Sequence, residues 1–382
     1  MQTISRLYFL ETKKENLYPL TVLKNIYELK VGALTLGEKI LRLYKPDEFY
    51  VCEKDVFIEH GLCGIFNSKI IFTKSLFETI KIQPKKAYYS GENFVCAFVE
   101  HKLEFDAEVF FDKNLCTKNG FEVCDVFADC IKYPWDIIKL NGKAIKDDFE
   151  FFKESLELDK NIDLIGSKDK IFIGKNVRFY GRVTISVKDG PVIISDNSII
   201  KAPTIIEGPA FIGTGSLIDG AKIRQETTIG EGCKIAGEIE ASVFSDFSNK
   251  HHDGFIGHAY IGSWVNMGAL TTNSDLKNNY HSVKVNLGKD FIDTKELKVG
   301  CFVGDFVTFG IGTLIPTGAV VSPVCNIFGG GVIKRYYPSF SWHDNGCDKM
   351  EVYDKALAKE TFSIMLSRRK KQWDERVEKF FN

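Results

Sequence analysis

Residues 194–235 read ISDNSIIKAPTIIEGPAFIGTGSLIDGAKIRQETTIGEGCKI, with isoleucine at Ile194, Ile200, Ile206 and Ile212 and again at Ile223, Ile229 and Ile235. A helix repeats its apolar face about every 3.6 residues and a strand about every two, so neither produces a spacing of six. A hexapeptide solenoid does. Each hexad is a short strand plus a turn, three hexads close a triangular coil, and the apolar residue of each fills the axis. Glycines such as Gly208, Gly213 and Gly220 suit corners where a side chain would clash or φ must be positive. The phase slips between Ile212 and Ile223, so at least one rung has five residues or a bulge. The beat starts near Ile173 and returns at Val303, Phe309, Ile315, Val321 and Ile327. Six or seven coils at the inter-strand spacing would make a prism of roughly 30 Å.

Two stretches leave the beat: Ala241–Asp253 (ASVFSDFSNKHHD) and Thr271–Gly300. Loops expelled from a regular solenoid are where function concentrates. Upstream the texture differs. Lys69–Phe72, Phe94–Val99 and Glu108–Phe111 read as strands, and Gly37–Tyr44 is amphipathic, with Ile40, Leu41 and Tyr44 on one face. An α/β domain over 1–146 is expected. Asp147–Leu158, acidic in its first turn, reads as a helix within a connector over 147–165. The prism would fill 166–333. A helical tail over 334–382 would carry Leu357, Phe362, Met365, Leu366 and Trp373 as apolar anchors.

The chain has 382 residues, enough for two or three domains, with 50 basic against 51 acidic side chains. That balance argues against nucleic acid and anionic membrane surfaces as partners, because both attract a basic excess. A 44% hydrophobic share supplies buried cores, and 32 glycines and 31 phenylalanines are the excesses to explain. Met1–Leu10 is too short and too polar for a spanning helix or secretory leader, so a cytoplasmic protein is expected. The 10 cysteines show no CxxC and no cluster, as expected of buried thiols in a reducing compartment.

Of seven histidines, His251, His252 and His258 fall within eight residues. An imidazole titrating near neutrality can take the proton from an attacking amine or hydroxyl, as acyl transfer from a thioester requires. Zinc binding and structural hydrogen bonding are the competing uses.

The segment SNKHHDGFIGHAYIGSWVN, from Ser248 to Asn266, resembles the SNKxHDGFLGHSYLGSWVN signature of the bacterial GlmU-like sugar nucleotidyltransferases. Tyr133–Gly142 (YPWDIIKLNG) is similar to that family's PWDIxxLNG, and Tyr337–Trp342 (YPSFSW) to its IPSFSW. Pro19-Leu20-Thr21 and Gly32 fit its N-terminal PLTxxRPxxxLRxG. The resemblance implies an α/β nucleotidyltransferase-like domain followed by a left-handed parallel β-helix acyltransferase domain and a C-terminal helix. It implies His252 as the general base; Lys250 or backbone amides would polarise the thioester or hold phosphate. Asn266 and Lys284 would bind the sugar, and Gly268 and Ala269 would lie beside acetyl-CoA. In the N-terminal site Lys24 and Lys30 replace the family's arginines, keeping charge but losing the bidentate fork. Asp136 and Asn141 are the candidates for Mg²⁺ or sugar contacts, with a helix-start and packing role as the alternative.

Several positions depart from the pattern. Phe255 stands where the relative has a phosphate-holding tyrosine, and Glu238-Ile239-Glu240-Ala241 lacks the basic residues expected before the histidines. Phe306–Phe309 replaces a His-Ser-Lys run. Leu7–Lys14 has no glycine to cradle a triphosphate, and Asn67 takes the place of the metal-binding Asp. The expected activity is bifunctional: joining a sugar-1-phosphate to an NTP, and transferring acetyl from acetyl-CoA to an amino sugar, in synthesis of the UDP-N-acetylglucosamine type. The alternatives are a single-activity acyltransferase with a degenerate nucleotide-sugar-binding N-terminal domain, and a non-catalytic trimeric scaffold. Prisms resembling this one assemble as homotrimers, so a trimer is expected.

Overall fold

The computed structural model describes residues 4–58, 61–100, 103–152 and 158–381. The chain divides into two compact units. One comprises Met1–Lys14, Asn25–Lys30 and Leu34–Lys132, the other Glu15–Lys24, Val31–Ala33 and Tyr133–Asn382.

The first unit is α/β. Its six-stranded mixed sheet runs in the order Glu122–Asp125, Lys86–Ser90, Asn93–Val99, Cys63–Asn67, Arg6–Leu10 and Glu48–Cys52. The central strands are buried along their length, which is why they read as unbroken apolar runs rather than alternating ones. Helix α1 (Leu36–Tyr44) starts at a capping box: Thr35 Oγ1 accepts from Glu38 N at 3.1 Å while the Glu38 carboxylate accepts from Thr35 N. It delivers Tyr44 to Phe66, edge-on at 4.8 Å between ring centres. Phe9, Phe66, Phe72, Phe94, Phe98 and Phe110 are fully buried here. The phenylalanine excess is shared between the units, and Phe179 and Phe309 sit in the coil core. The shorter helices α2 (Lys74–Thr79) and α3 (Lys113–Lys118) complete it.

The second unit is the expected left-handed parallel β-helix. Its strands form a 9-stranded face, a 10-stranded face and a third face that begins as 6 strands and resumes as a 3-stranded sheet. Nine strands on one face exceed the expected six or seven coils and correspond to roughly 40 Å of stacking. Registers align the inward residues into columns: Ile185, Ile206, Ile223, Ile239 and Ile256 on one face, Ile173, Ile194, Ile212, Ile229 and Phe244 on another. Each such buried side chain contributes about 1.5–3 kcal/mol. A Cβ on Gly213 would lie 2.5 Å from the carbonyl carbon of Gly230, so the corner of successive coils admits no side chain there.

Three sequence expectations change. Ala241–Asp253 does not leave the coil: Val243–Phe244 and Asn249–Lys250 pair in register with the strands before them. The second expected excursion does leave it, between Asn273 and Cys301, and holds an antiparallel hairpin of Lys284–Asn286 and Phe291–Asp293. The connector helix lies upstream as α4 (Pro134–Asp148), because Pro134 opens its first turn and the Asp136 carboxylate accepts from Tyr133 N at 2.8 Å. It gives way at Asp148 to a single turn over Phe149–Phe151, and the rest of the expected helix falls partly outside the described residues. Finally, coil strands continue through Tyr336–Tyr337 and Ser341–Asp344, past the expected boundary at 334. The tail is two helices, α5 (Lys355–Ser367) and α6 (Glu375–Phe381), whose Phe362, Leu366 and Phe381 pack with Trp264, Phe306 and Leu23.

Candidate functional site

The 10-stranded face of the coil places isoleucine inward at Ile200, Ile218 and Ile235, and the next residue of that column is Lys250. Its side chain is fully buried. The ammonium donates to the carbonyls of His252 and Asp253, the latter at 2.8 Å. Burial pulls its pKa down to about 8, opposed by the charge of Asp253. Lys250 thus pins from inside the turn that carries His252, and its ammonium points at backbone rather than outward.

The three clustered histidines have three environments. His251 Nε2 lies 3.1 Å from Asp219 Oδ2, which also accepts from Lys201 at 2.9 Å; the bond to Lys201, then that to His251, holds the Asp219 carboxyl below its ordinary value. His252 is exposed on the turn, its ring 5.8 Å from that of His251. His258, at the other end of the strand Phe255–Gly257, has Nδ1 2.8 Å from Asp275 Oδ2, with both side chains mostly buried. Burial alone would raise Asp275, but the bond from His258 and the charges of His258 and Lys298 bring it below its ordinary value. This pair was not legible in the sequence, because Asp275 lies 17 residues on, inside the excursion.

Asn266 stands in an outward column of polar side chains, Asn249, Asn266, Thr308 and Asn326, in register across successive coils. Asn249 Nδ2 donates to Asn266 Oδ1 at 2.6 Å and Thr308 Oγ1 to Asn326 Oδ1 at 3.0 Å. Gly268 and Ala269 follow at the next corner, where Gly312 N donates to Ala269 O at 2.8 Å. Lys284 is exposed on the hairpin, with its carbonyl accepting from the Arg335 guanidinium.

The residues expected to serve nucleotidyl transfer are held in structural bonds. Lys24 belongs to the coil unit, where Nζ donates to Ser263 Oγ at 2.8 Å and to Asp305 Oδ1 at 2.7 Å. Burial works against that charge, yet Asp305 and neighbouring acidic groups raise its pKa above the ordinary lysine value. Lys30 lies in the other unit, in the short strand Lys30–Val31, so the structure does not gather the two lysines in one unit. Asn141 is fully buried: Oδ1 accepts from Gly32 N at 2.7 Å, and Nδ2 donates to Glu226 O at 2.8 Å and Thr228 Oγ1 at 3.0 Å. Asp136 caps α4. A hydrated Mg²⁺ demands octahedral space and free oxygens, and a buried, fully bonded Asn141 with a helix-capping Asp136 does not fit it. Asn67, buried, bonds to Phe94 O and to the Lys69 amide. Among the described residues no group of three or more His, Cys, Asp or Glu could hold a metal ion. The basic run of the tail turns toward the coil, Arg369 to Gly232 O and Lys371 to Glu231. No helix among the described residues is long and apolar enough to cross a membrane.

Residues 7–157 match a sequence family described as sugar nucleotidyl transferase. The bifunctional protein GlmU of Baumannia cicadellinicola subsp. Homalodisca coagulata is 31% identical over 192 residues, 46% of this chain and 38% of that protein. An acetyltransferase of Escherichia coli O6:K15:H31, YaiX, described only as uncharacterized, is 30% identical over 168 residues, 43% of this chain and 73% of that one. The match thus spans well under half the length of the GlmU relative. Among solved structures, an Arabidopsis UDP-N-acetylglucosamine acyltransferase aligns over 56% of this chain and 80% of its own at 13% identity and a TM-score of 0.33. The Campylobacter jejuni enzyme of the same name aligns over 58% and 94% at 15% identity and 0.31.

Proposed function

The chain belongs to the GlmU-like family, in which a sugar-nucleotidyltransferase domain precedes an acyltransferase β-helix, and on that premise we propose that it transfers an acyl group from acyl-CoA to a sugar-type acceptor on the coil. The N-terminal unit then serves as a non-catalytic module that binds nucleotide sugar. One contrast carries this reading. Lys24, Asp136 and Asn141, three of the residues expected to serve nucleotidyl transfer, all fall in the coil unit and are consumed by an ion pair, a helix cap and a buried hydrogen-bond set, whereas His252 stays exposed on a turn that a buried lysine holds in place.

In the proposed reaction His252 takes the proton from the acceptor's amine or hydroxyl as that group attacks the thioester carbonyl. The carbon–sulfur bond breaks, and the proton leaves with CoA as the thiol. The column Asn249, Asn266, Thr308 and Asn326 offers amide and hydroxyl groups to acceptor hydroxyls, and the Gly268–Ala269 corner admits close approach of the acyl-CoA chain. Lys250 acts by positioning the turn rather than by touching the thioester. A homotrimer is proposed for the assembly. Leu270, Ile311, Leu314 and Val332 are exposed on neighbouring coils at the Gly268–Ala269 side, and a contiguous apolar patch of this kind favours association.

The test is CoA thiol release by the full chain with acetyl-CoA and a panel of amino sugars, sugar phosphates and nucleotide sugars. His252→Ala is expected to lower turnover by about 100-fold or more with an unchanged thermal midpoint. Undiminished turnover in that variant removes His252 from the mechanism.

A further inference from the structure

A cleft of about 400 Å³ opens in the coil unit at the corner beyond Phe255–Gly257, and His258 lines it. His252 and His258 stand at opposite ends of that strand, six residues apart and as much as roughly 20 Å when extended. His252 is not among the residues that line the cleft, so the cleft is distinct from the turn assigned above. Its size is that of a small-molecule site, and Trp135, Ile138, Leu297 and Val299 supply apolar lining.

Two features describe what it would take. With Nδ1 engaged by Asp275, the imidazole presents its remaining nitrogen, Nε2, which a ligand hydroxyl can meet as donor or as acceptor. Second, each lysine around the cleft has its own carboxylate: Lys139 with Glu296 at 2.7 Å, Lys298 with Glu240 at 3.4 Å, Lys295 with Asp293 at 3.1 Å. Such a balanced rim has little net field to draw in a phosphate, but it presents donors and acceptors side by side. A neutral ring bearing several hydroxyls uses both, with its C–H faces on the apolar lining.

We propose that the cleft lined by His258 is a second ligand site, which binds a neutral polyhydroxylated molecule of monosaccharide size through a hydrogen bond between a ligand hydroxyl and His258 Nε2, the ring being held by Asp275. The site stands whether or not the coil consumes acyl-CoA, and its test needs no turnover. Histidine side chains of the intact protein are labelled with ¹⁵N, and their ring signals are followed during titration with glucose, N-acetylglucosamine and glucose-1-phosphate. A neutral sugar is expected to shift the His258 signals and leave those of His252 in place. His258→Gln and Asp275→Asn, checked by thermal melting, should each weaken the neutral sugar by about tenfold, one hydrogen bond's worth. The proposal is overturned if neither neutral sugar moves the His258 signals, if glucose-1-phosphate binds more tightly than both, or if affinity survives intact in the folded His258→Gln protein.

Discussion

Lys250 occupies a place in the coil axis that the strands before it give to Ile218 and Ile235. Its proton leaves more readily in the fold, at about 8, than at the ordinary lysine value of 10.5. Between those values the unfolded chain binds more protons, so this residue makes stability rise as pH climbs from about 8 to about 10.5; below about 8 the cost of the buried charge is present in full. In Lys250→Met an apolar chain of similar length fills the column. Denaturant unfolding at about pH 7 and about pH 10 should show a smaller gain at high pH for the variant than for the wild type. Equal gains would mean the ammonium is not desolvated. Lys24 presents the opposite case, a buried charge with a strong partner. Lys24→Ala leaves Asp305 buried with its charge uncompensated, at a cost of about 3–5 kcal/mol. Removing both in Lys24→Ala/Asp305→Ala should cost less than the sum of the single changes, and strict additivity in the double-mutant cycle would deny the coupling.

Helix α4 shows how a motif with the look of a catalytic signature can serve the fold. Its Pro134 and Asp136 start the helix, and Asn141 ties it to Gly32 and to Glu226 and Thr228 of the coil. Asn141→Ala strands several buried polar groups and should destabilise by about 2–3 kcal/mol in urea unfolding. Mg²⁺ is expected to leave the thermal midpoint of both proteins unchanged; stabilisation of the wild type that Asn141→Ala abolishes would contradict the structural assignment. The same element marks the limit of sequence reading. The isoleucine beat made the coil legible because each hexad repeats one physical demand, an apolar side chain on the axis. Residues 241–253 hid their place because Ser242, Ser245 and Ser248 are buried on hydrogen bonds and Lys250 stands on the axis, so no apolar pattern survives. His258 was visible as a histidine, but its partner Asp275 depends on the path of a 27-residue excursion that no local period records.

At the scale of the whole chain, the two units carry unequal chemistry, and the proposed trimer would add a surface neither has alone. Ile311→Glu combined with Val332→Glu places charges on the exposed apolar patch. Light scattering should then report monomers with native thermal behaviour, and retention of a trimer would move the interface elsewhere. The central claim is that turnover belongs to the coil and the nucleotidyltransferase-like unit has lost its chemistry. The most direct measurement incubates the purified full chain with acetyl-CoA, UTP and other NTPs, Mg²⁺ and a panel of sugar acceptors, and follows free CoA and pyrophosphate in parallel. The account predicts acceptor-dependent CoA release, abolished by His252→Ala, with no pyrophosphate above background. Sugar-1-phosphate-dependent pyrophosphate release without CoA release would contradict it.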